Sequence, residues 1–155
     1  MAPHHVLTLM VVGFGLLTQV QGDRCPLGFV RHKTSCYWFS TYKGSFPEAR
    51  SMCRYLRSDL AKVTSKDEDD FLRHFALVRG KAPNYFLGGS DFRQTRRWSW
   101  NGEEQQMTYT NWGPREPNNP LTQHCIVLSK AYNYQWGDYF CHYANNFVCE
   151  CPVLQ

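Results

Sequence analysis

A chain of 155 residues with formal net charge +4, seven cysteines and 15% aromatic residues is long enough for one domain with a substantial core. The mildly basic balance permits anionic partners. No Lys/Arg run with interleaved aromatics appears, so nucleic acid is not indicated, and beyond the first twenty residues no apolar stretch is long enough to cross a membrane.

The first predicted element is a leader. Residues 6–20 are mostly apolar, too few to span a bilayer comfortably, and "VQG" at 20–22 puts small residues where a signal peptidase reads. Charge begins at Asp23 and Arg24. The pattern predicts a signal peptide over 1–22, a single domain over 23–155 and a secreted, extracellular protein; a retained helix is the alternative. Seven cysteines fit an oxidising compartment. They allow about a hundred arrangements of three bridges and one orphan, so counting does not fix the pairing. Zinc is the rival use, but the spacing of Cys141, His142, Cys149 and Cys151 matches no paired knuckle.

"CPLGFVRHKTSCYWFS", 25–40, predicts a hairpin whose turn lies at 32–35. Cys25 and Cys36 flank that turn and could staple it. "SFPE", 45–48, is a capping box with proline in the first turn; it predicts a helix to about Ser58 with Phe46, Ala49, Cys53 and Leu56 on one face. "SKDE", 65–68, opens a second helix with Phe71, Phe75 and Val78 at helical spacing, ending near Gly80. After Gly80 the texture changes. "NYFLGGSDF", "RWSWNG", "MTYTNW", "HCIVLSK", "YQWGDYF" and "NNFVCE" are short aromatic or β-branched runs between turn residues. Between them, 110–123 carries almost no strand or helix signal, and a long irregular stretch inside a compact domain is usually functional. The order is that of an α+β domain.

"CYWF", "YFLGGSD", "RWSWNG", the "NW…EPNN" loop, "WGDYFC" and "FVCE" resemble, in order and spacing, a C-type lectin-like domain. The resemblance covers Cys25 to Cys151. "CPLGF", "SCYWFS", "CRYL", "SKDED", "TNW" and "WGDYFC" are similar more closely to the lectin-like matrix proteins of molluscan shell nacre. It implies two helices, two small antiparallel sheets and a long loop that binds calcium and sugar. It also implies bridges Cys25–Cys36, Cys53–Cys149 and Cys125–Cys141, leaving Cys151 unpaired. Cys149 and Cys151 lie two apart on a strand and share a face, so Cys53 has two candidates. An orphan in a secreted chain suggests a free thiol or a disulfide-linked dimer through Cys151.

Carried onto this chain, the family's calcium shell falls on Glu116, Asn118, Gln123, Gly137 and Asp138. The metal and carbohydrate ligands are therefore expected to be Glu116, Asn118, Gln123 and Asp138, since Gly137 has no side chain. Calcium takes six to eight oxygens from carboxylates, amide carbonyls and main chain, which suits these residue types. In the family the order Glu-Pro-Asn goes with mannose-type sugars. Two ligands depart from the pattern: Gln123 replaces a carboxylate and Gly137 an asparagine. Ca2+ binding is thus expected to be weak. A second calcium site is not expected, because Asn119 and His124 stand where further acids would help.

Other features have plainer readings. "KDEDD", 66–70, lies in the first turn of the second helix, where carboxylates suit the positive end of the helix dipole. Arg50, Arg54 and Arg57 line one side of the first helix as a solvated stripe. With Arg93, Arg96 and Arg97 they leave sulfated glycans or carbonate as a minor alternative. Trp98, Trp100, Trp112 and Trp136 read as core. His32, His74, His124 and His142 show no metal spacing. No G-x-S-x-G, H-E-x-x-H or reduced Cys/His pair supports an enzyme. The leading expectation is a secreted, calcium-dependent lectin for mannose-type glycans. The alternative is an extracellular matrix protein that contacts a polysaccharide matrix or calcium carbonate through charge and keeps a vestigial sugar site.

Overall fold

The computed structural model describes residues 24–154; the leader predicted over 1–22 lies outside them. The predicted hairpin is β1 (Val30–His32) and β2 (Ser35–Phe39), antiparallel with His32 opposite Ser35. Helix α1 (Phe46–Tyr55) starts at Ser45, whose N–H and hydroxyl both donate to the Glu48 carboxylate at 2.8 and 2.6 Å. Phe46, Ala49 and Cys53 turn inward. The helix ends three residues before the expected Ser58. Arg57 takes a left-handed φ of 56°, and the Ser58 N–H and hydroxyl return to the Cys53 carbonyl at 3.0 and 2.7 Å. The backbone beyond is claimed by β3 (Asp59–Leu60), which pairs with β8 (Asn146–Pro152). Sheet pairing, absent from any local window, decides the boundary.

Helix α2 (Lys66–Val78) opens as expected, with Ser65 accepting the Glu68 N–H at 3.3 Å. Its inner face differs from the expected one: Asp69, Leu72 and Ala76 are buried, while Val78 is 62% exposed. Phe71 and Phe75 lie to one side, stacked on His32 and Phe39 with centroids 4.3 and 4.4 Å apart. A carboxylate leads the inner stripe, so an apolar pattern points to the neighbouring one.

The remaining strands are β4 (Asn84–Ser90), β5 (Ser99–Trp100), β6 (Cys125–Ser129) and β7 (Gln135–Tyr139). The two expected antiparallel sheets are present as two ladders, β1-β2-β8-β3 and β5-β4-β6-β7. A short parallel pairing, Tyr85 with Asn146 and Phe86 with Phe147, joins them into one mixed sheet. Tyr37, Leu72, Trp136 and Val148 pack on the α2 side; Phe46, Cys53, Phe86 and Phe147 pack on the α1 side.

Three disulfides staple this frame: Cys25–Cys36, Cys53–Cys149 and Cys125–Cys141. Closing the 96-residue span between Cys53 and Cys149 is worth roughly 4–5 kcal/mol in the chain-entropy model. Cys151 is free and buried, opposite Cys36 in the β2–β8 register. Burial, then the nearby Glu150 charge, pushes its thiol up. A thiol only 6% exposed is screened from a second chain, which does not favour the disulfide-linked dimer expected of an orphan cysteine.

The arginine stripe of α1 is not simply solvated. Arg50 grips Asp59 with two hydrogen bonds of 2.9 and 3.0 Å and donates to the Asn101 carbonyl at 2.6 Å; Arg54 reaches Asp59 at 3.7 Å. These contacts tie α1 to β3 and to the start of the long loop. The acidic run divides likewise: Asp67 pairs with His32 and Lys33 at 2.7 Å each, while Asp69 is fully buried.

Candidate functional site

From Asn101 to His124 the chain forms no helix or regular strand. The expected irregular segment, 110–123, is thus the second half of a longer loop. "MTYTNW", expected as a strand, contributes a single isolated bridge, Trp112 to Trp136. Its rings serve packing: Tyr109 and Trp112 meet Trp136 edge-on, with centroids 5.8 and 5.9 Å apart. Aromatic-rich sequence is common to strands and to packed loops, and only partners separate the two.

The loop is pinned at its root. Buried Asp69 accepts the Trp136 indole N–H at 2.7 Å and a hydrogen bond from the Asn111 side-chain amide. Trp136 N–H donates to the Asn111 carbonyl at 2.9 Å, and Gly113 N–H to the Trp136 carbonyl at 2.7 Å. Gly113 lies so close to Tyr132 that an added Cβ would stand 2.7 Å from its ring. Burial pushes the Asp69 carboxyl up, and the hydrogen bonds from Asn111 and Trp136 oppose that shift.

Above this root, Glu116, Asn118, Gln123 and Asp138 line one cleft of about 400 Å³, with Tyr132 and Gly137 in its wall and Lys130 also lining it. The Glu116–Pro117 bond is cis. Glu116 Oε1 accepts from Asn118 Nδ2 at 2.6 Å and from the Tyr132 hydroxyl at 2.7 Å; Oε2 accepts the Asp138 N–H at 3.2 Å. Asp138 is buried, and its two oxygens take the N–H groups of Asn118 and Asn119 at 3.1 and 2.9 Å. Gln123 holds the loop through its N–H, donated to the Asn119 carbonyl at 3.0 Å. Burial raises the Glu116 carboxyl, and the neighbouring Asp138 carboxyl raises it further.

Two facing carboxylates with amide carbonyls beside them fit a hard cation in kind, because every donor is oxygen. They fall short in number. Among the described residues no group of three or more acidic, histidine or cysteine side chains could hold a metal ion. The gap at 137 is not closed by the backbone: an added Cβ would meet Tyr132 Cε2 at 3.5 Å and Glu116 Cδ at 3.7 Å, ordinary contacts. Tyr132 flanks that space and supplies the donor to Glu116.

All four predicted ligands therefore share one cleft. The motifs point neither to Tyr132 nor to the Asn119 main chain as partners of the cleft carboxylates. Asn119 acts through its main chain, which no side-chain motif reports. Tyr132 comes from a 3-10 turn, Lys130–Tyr132, outside every motif, and only the fold carries it to Glu116. Trp100 and Trp136 are core as expected, whereas Trp98 and Trp112 are half-buried at the surface.

Comparison with known proteins matches residues 42–151 to the Lectin C-type domain. Perlucin of Haliotis laevigata is 49% identical over 128 residues, 81% of this chain and 82% of that protein. A perlucin-like protein of Mytilus galloprovincialis is 29% identical over 119 residues, 76% of each. Among solved structures, the carbohydrate-recognition domain of the mouse scavenger receptor C-type lectin superposes with a TM-score of 0.76 at 28% identity, covering 84% of this chain and 98% of that one. The corresponding domain of cow CD23, solved in the presence of a GlcNAc2Man3 oligosaccharide, gives 0.75 at 25% identity, covering 86% and 100%.

Proposed function

The chain belongs to the C-type lectin domain family, and on that footing we propose that it is a secreted lectin binding mannose-type glycans in the Glu116–Asn118–Asp138 cleft. Its work is recognition, not catalysis. Glu116, Asn118, Gln123 and Asp138 are the residues that would hold Ca2+ there, weakly, and the ion would supply an electrostatic anchor for two neighbouring sugar hydroxyls. The observation that carries the reading is the meeting of the Glu116 and Asp138 side chains with Asn118 in one open cleft. Glu116 accepts a hydrogen bond from a sugar hydroxyl through a remaining lone pair. Asn118 Nδ2, now turned to Glu116, is the donor available to the same hydroxyl. Asp138, already bonded to the Asn118 and Asn119 N–H groups, holds the loop in register. Two carboxylates in place of three imply modest calcium affinity. The cow CD23 domain's solution with a mannose-containing oligosaccharide supports this sugar class.

The test is a calorimetric calcium titration with and without methyl α-mannoside, together with elution of the protein from a mannose column by chelator. The lectin reading expects mannoside binding that chelator weakens. A specific observation favours a second reading: the polar network is already closed, with Tyr132 and Asn118 both bonded to Glu116. If mannoside does not bind in saturating calcium, the loop is architecture. The protein is then a matrix component making charge contacts with polysaccharide or calcium carbonate.

A further inference from the structure

A second cleft, of about 450 Å³, adjoins the first and shares Gln123 with it. Its apolar lining comes from Trp98, Trp112, Met107 and Pro117. The two indoles meet edge-on with centroids 5.0 Å apart. The charged residues lining it are Arg96 and Asp91. Asp91 is buried and committed: its oxygens accept the N–H groups of Thr95 and Arg96 at 3.0 and 2.8 Å. Those bonds hold Gln94 and Arg96 at φ 52° and 59° and set the loop that presents Arg96. Arg96 is exposed and has no ion pair among the described residues. Arg93 and Arg97 line a different cleft, together with Glu103 and Glu104.

An aromatic floor beside one unpaired guanidinium, carried on a backbone that Asp91 holds, suits a ring that has an apolar face and a planar or tetrahedral anionic group. Resting on the sugar-binding reading of the first cleft, we infer that this second cleft is an extended subsite. It takes an acidic saccharide unit, sulfate- or carboxylate-bearing, linked to the mannose-type unit in the first. Trp98 and Trp112 carry the ring face, Arg96 pairs with the anion, and Gln123 faces both units. A charge-assisted bond to the guanidinium strengthens binding by about tenfold.

The experiment compares methyl α-mannoside, neutral mannobiose, and mannobioses whose second ring carries a sulfate or a uronate carboxylate, by calorimetry in calcium. Wild type is expected to bind one or both acidic disaccharides at least tenfold more tightly than the neutral one, and the two acidic arms identify the anion. Arg96→Gln removes that preference and leaves methyl α-mannoside affinity unchanged; Arg96→Lys restores part of it; Arg93→Gln changes nothing. Equal affinity for acidic and neutral disaccharides in a protein that binds methyl α-mannoside overturns the subsite alone. An equal loss with Arg93→Gln overturns it too, since diffuse charge would then suffice. Failure of methyl α-mannoside to bind overturns the reading of the first cleft and the subsite with it.

Discussion

Asp69 of α2 accepts the indole N–H of Trp136 at 2.7 Å, and so one buried carboxylate ties a helix to the strand that carries Asp138. The same side chain takes the Asn111 amide at the loop entrance. Asp69→Ala would strand two donors, one of them the N–H of fully buried Trp136. We expect a loss of about 3 kcal/mol in unfolding free energy by denaturant titration, and weaker mannoside binding because the loop root loosens. A loss below about 1 kcal/mol would mean that the carboxylate only occupies space.

Tyr132 donates to Glu116 Oε1, the oxygen that a cation in the cleft would need. Tyr132→Phe removes the donor and keeps the ring beside Gly113 and Gly137. Calcium affinity is expected to rise roughly threefold, with stability changed by no more than about 1 kcal/mol. Unchanged or weakened calcium binding in the calorimeter would show that the hydroxyl does not stand in the metal's place.

Restoring the family's ligands should strengthen the site in steps. Gln123→Glu returns a full negative charge to the cleft and should tighten calcium about tenfold. Gly137→Asn meets only ordinary contacts at its Cβ, so it should fold normally and improve both calcium and mannoside binding. Glu116→Ala should abolish mannoside binding and leave the domain folded, since all three disulfides and both core clusters lie elsewhere, with a lower melting temperature because three donors lose their acceptor. If Glu116→Ala leaves calcium and sugar binding intact, the cleft is not the site.

Glu150 should make stability fall as pH rises. It accepts from the Ser35 hydroxyl at 2.8 Å and the Lys62 N–H at 3.0 Å, but burial dominates and pushes its carboxyl up. A raised folded-state pKa means that the native state holds the proton longer than the unfolded chain does. The contribution is therefore full below the unfolded value, about 4.3, and is lost as pH climbs through the folded one. The unfolding free energy of wild type relative to Glu150→Gln should grow as pH falls from 7 to 4. Any constant offset from the amide cancels in that trend. A flat difference would refute it.

Cys151 should behave as a sealed thiol. Its burial and raised pKa predict slow reaction with a thiol reagent in the native protein and rapid reaction of one thiol in denaturant. On a non-reducing gel the protein should run as a monomer. A covalent dimer lost on Cys151→Ser would show that β8 opens enough to expose it.

Much of this protein is local and was legible as such. Ser45 and Ser65 marked both helix starts, because capping is chemistry within four residues. Glu116, Asn118 and Asp138 were legible as candidate ligands through the resemblance to the C-type lectin family, and the fold brings them into one cleft. What the tertiary structure decided is every matter of partnership. The end of α1 moved because β3 had a strand to join. Asp69 read as a first-turn acid suited to the helix dipole and is the buried anchor of the loop, since its donors come from Asn111 and Trp136, 42 and 67 residues away. Arg50 looked like part of a free stripe and became a clamp on Asp59. Tyr132 had no motif at all. A carboxylate, a guanidinium or a phenol has the same local signature whether it faces water or a partner. Which of these it faces is settled by where distant chain returns, and that is a property of the fold.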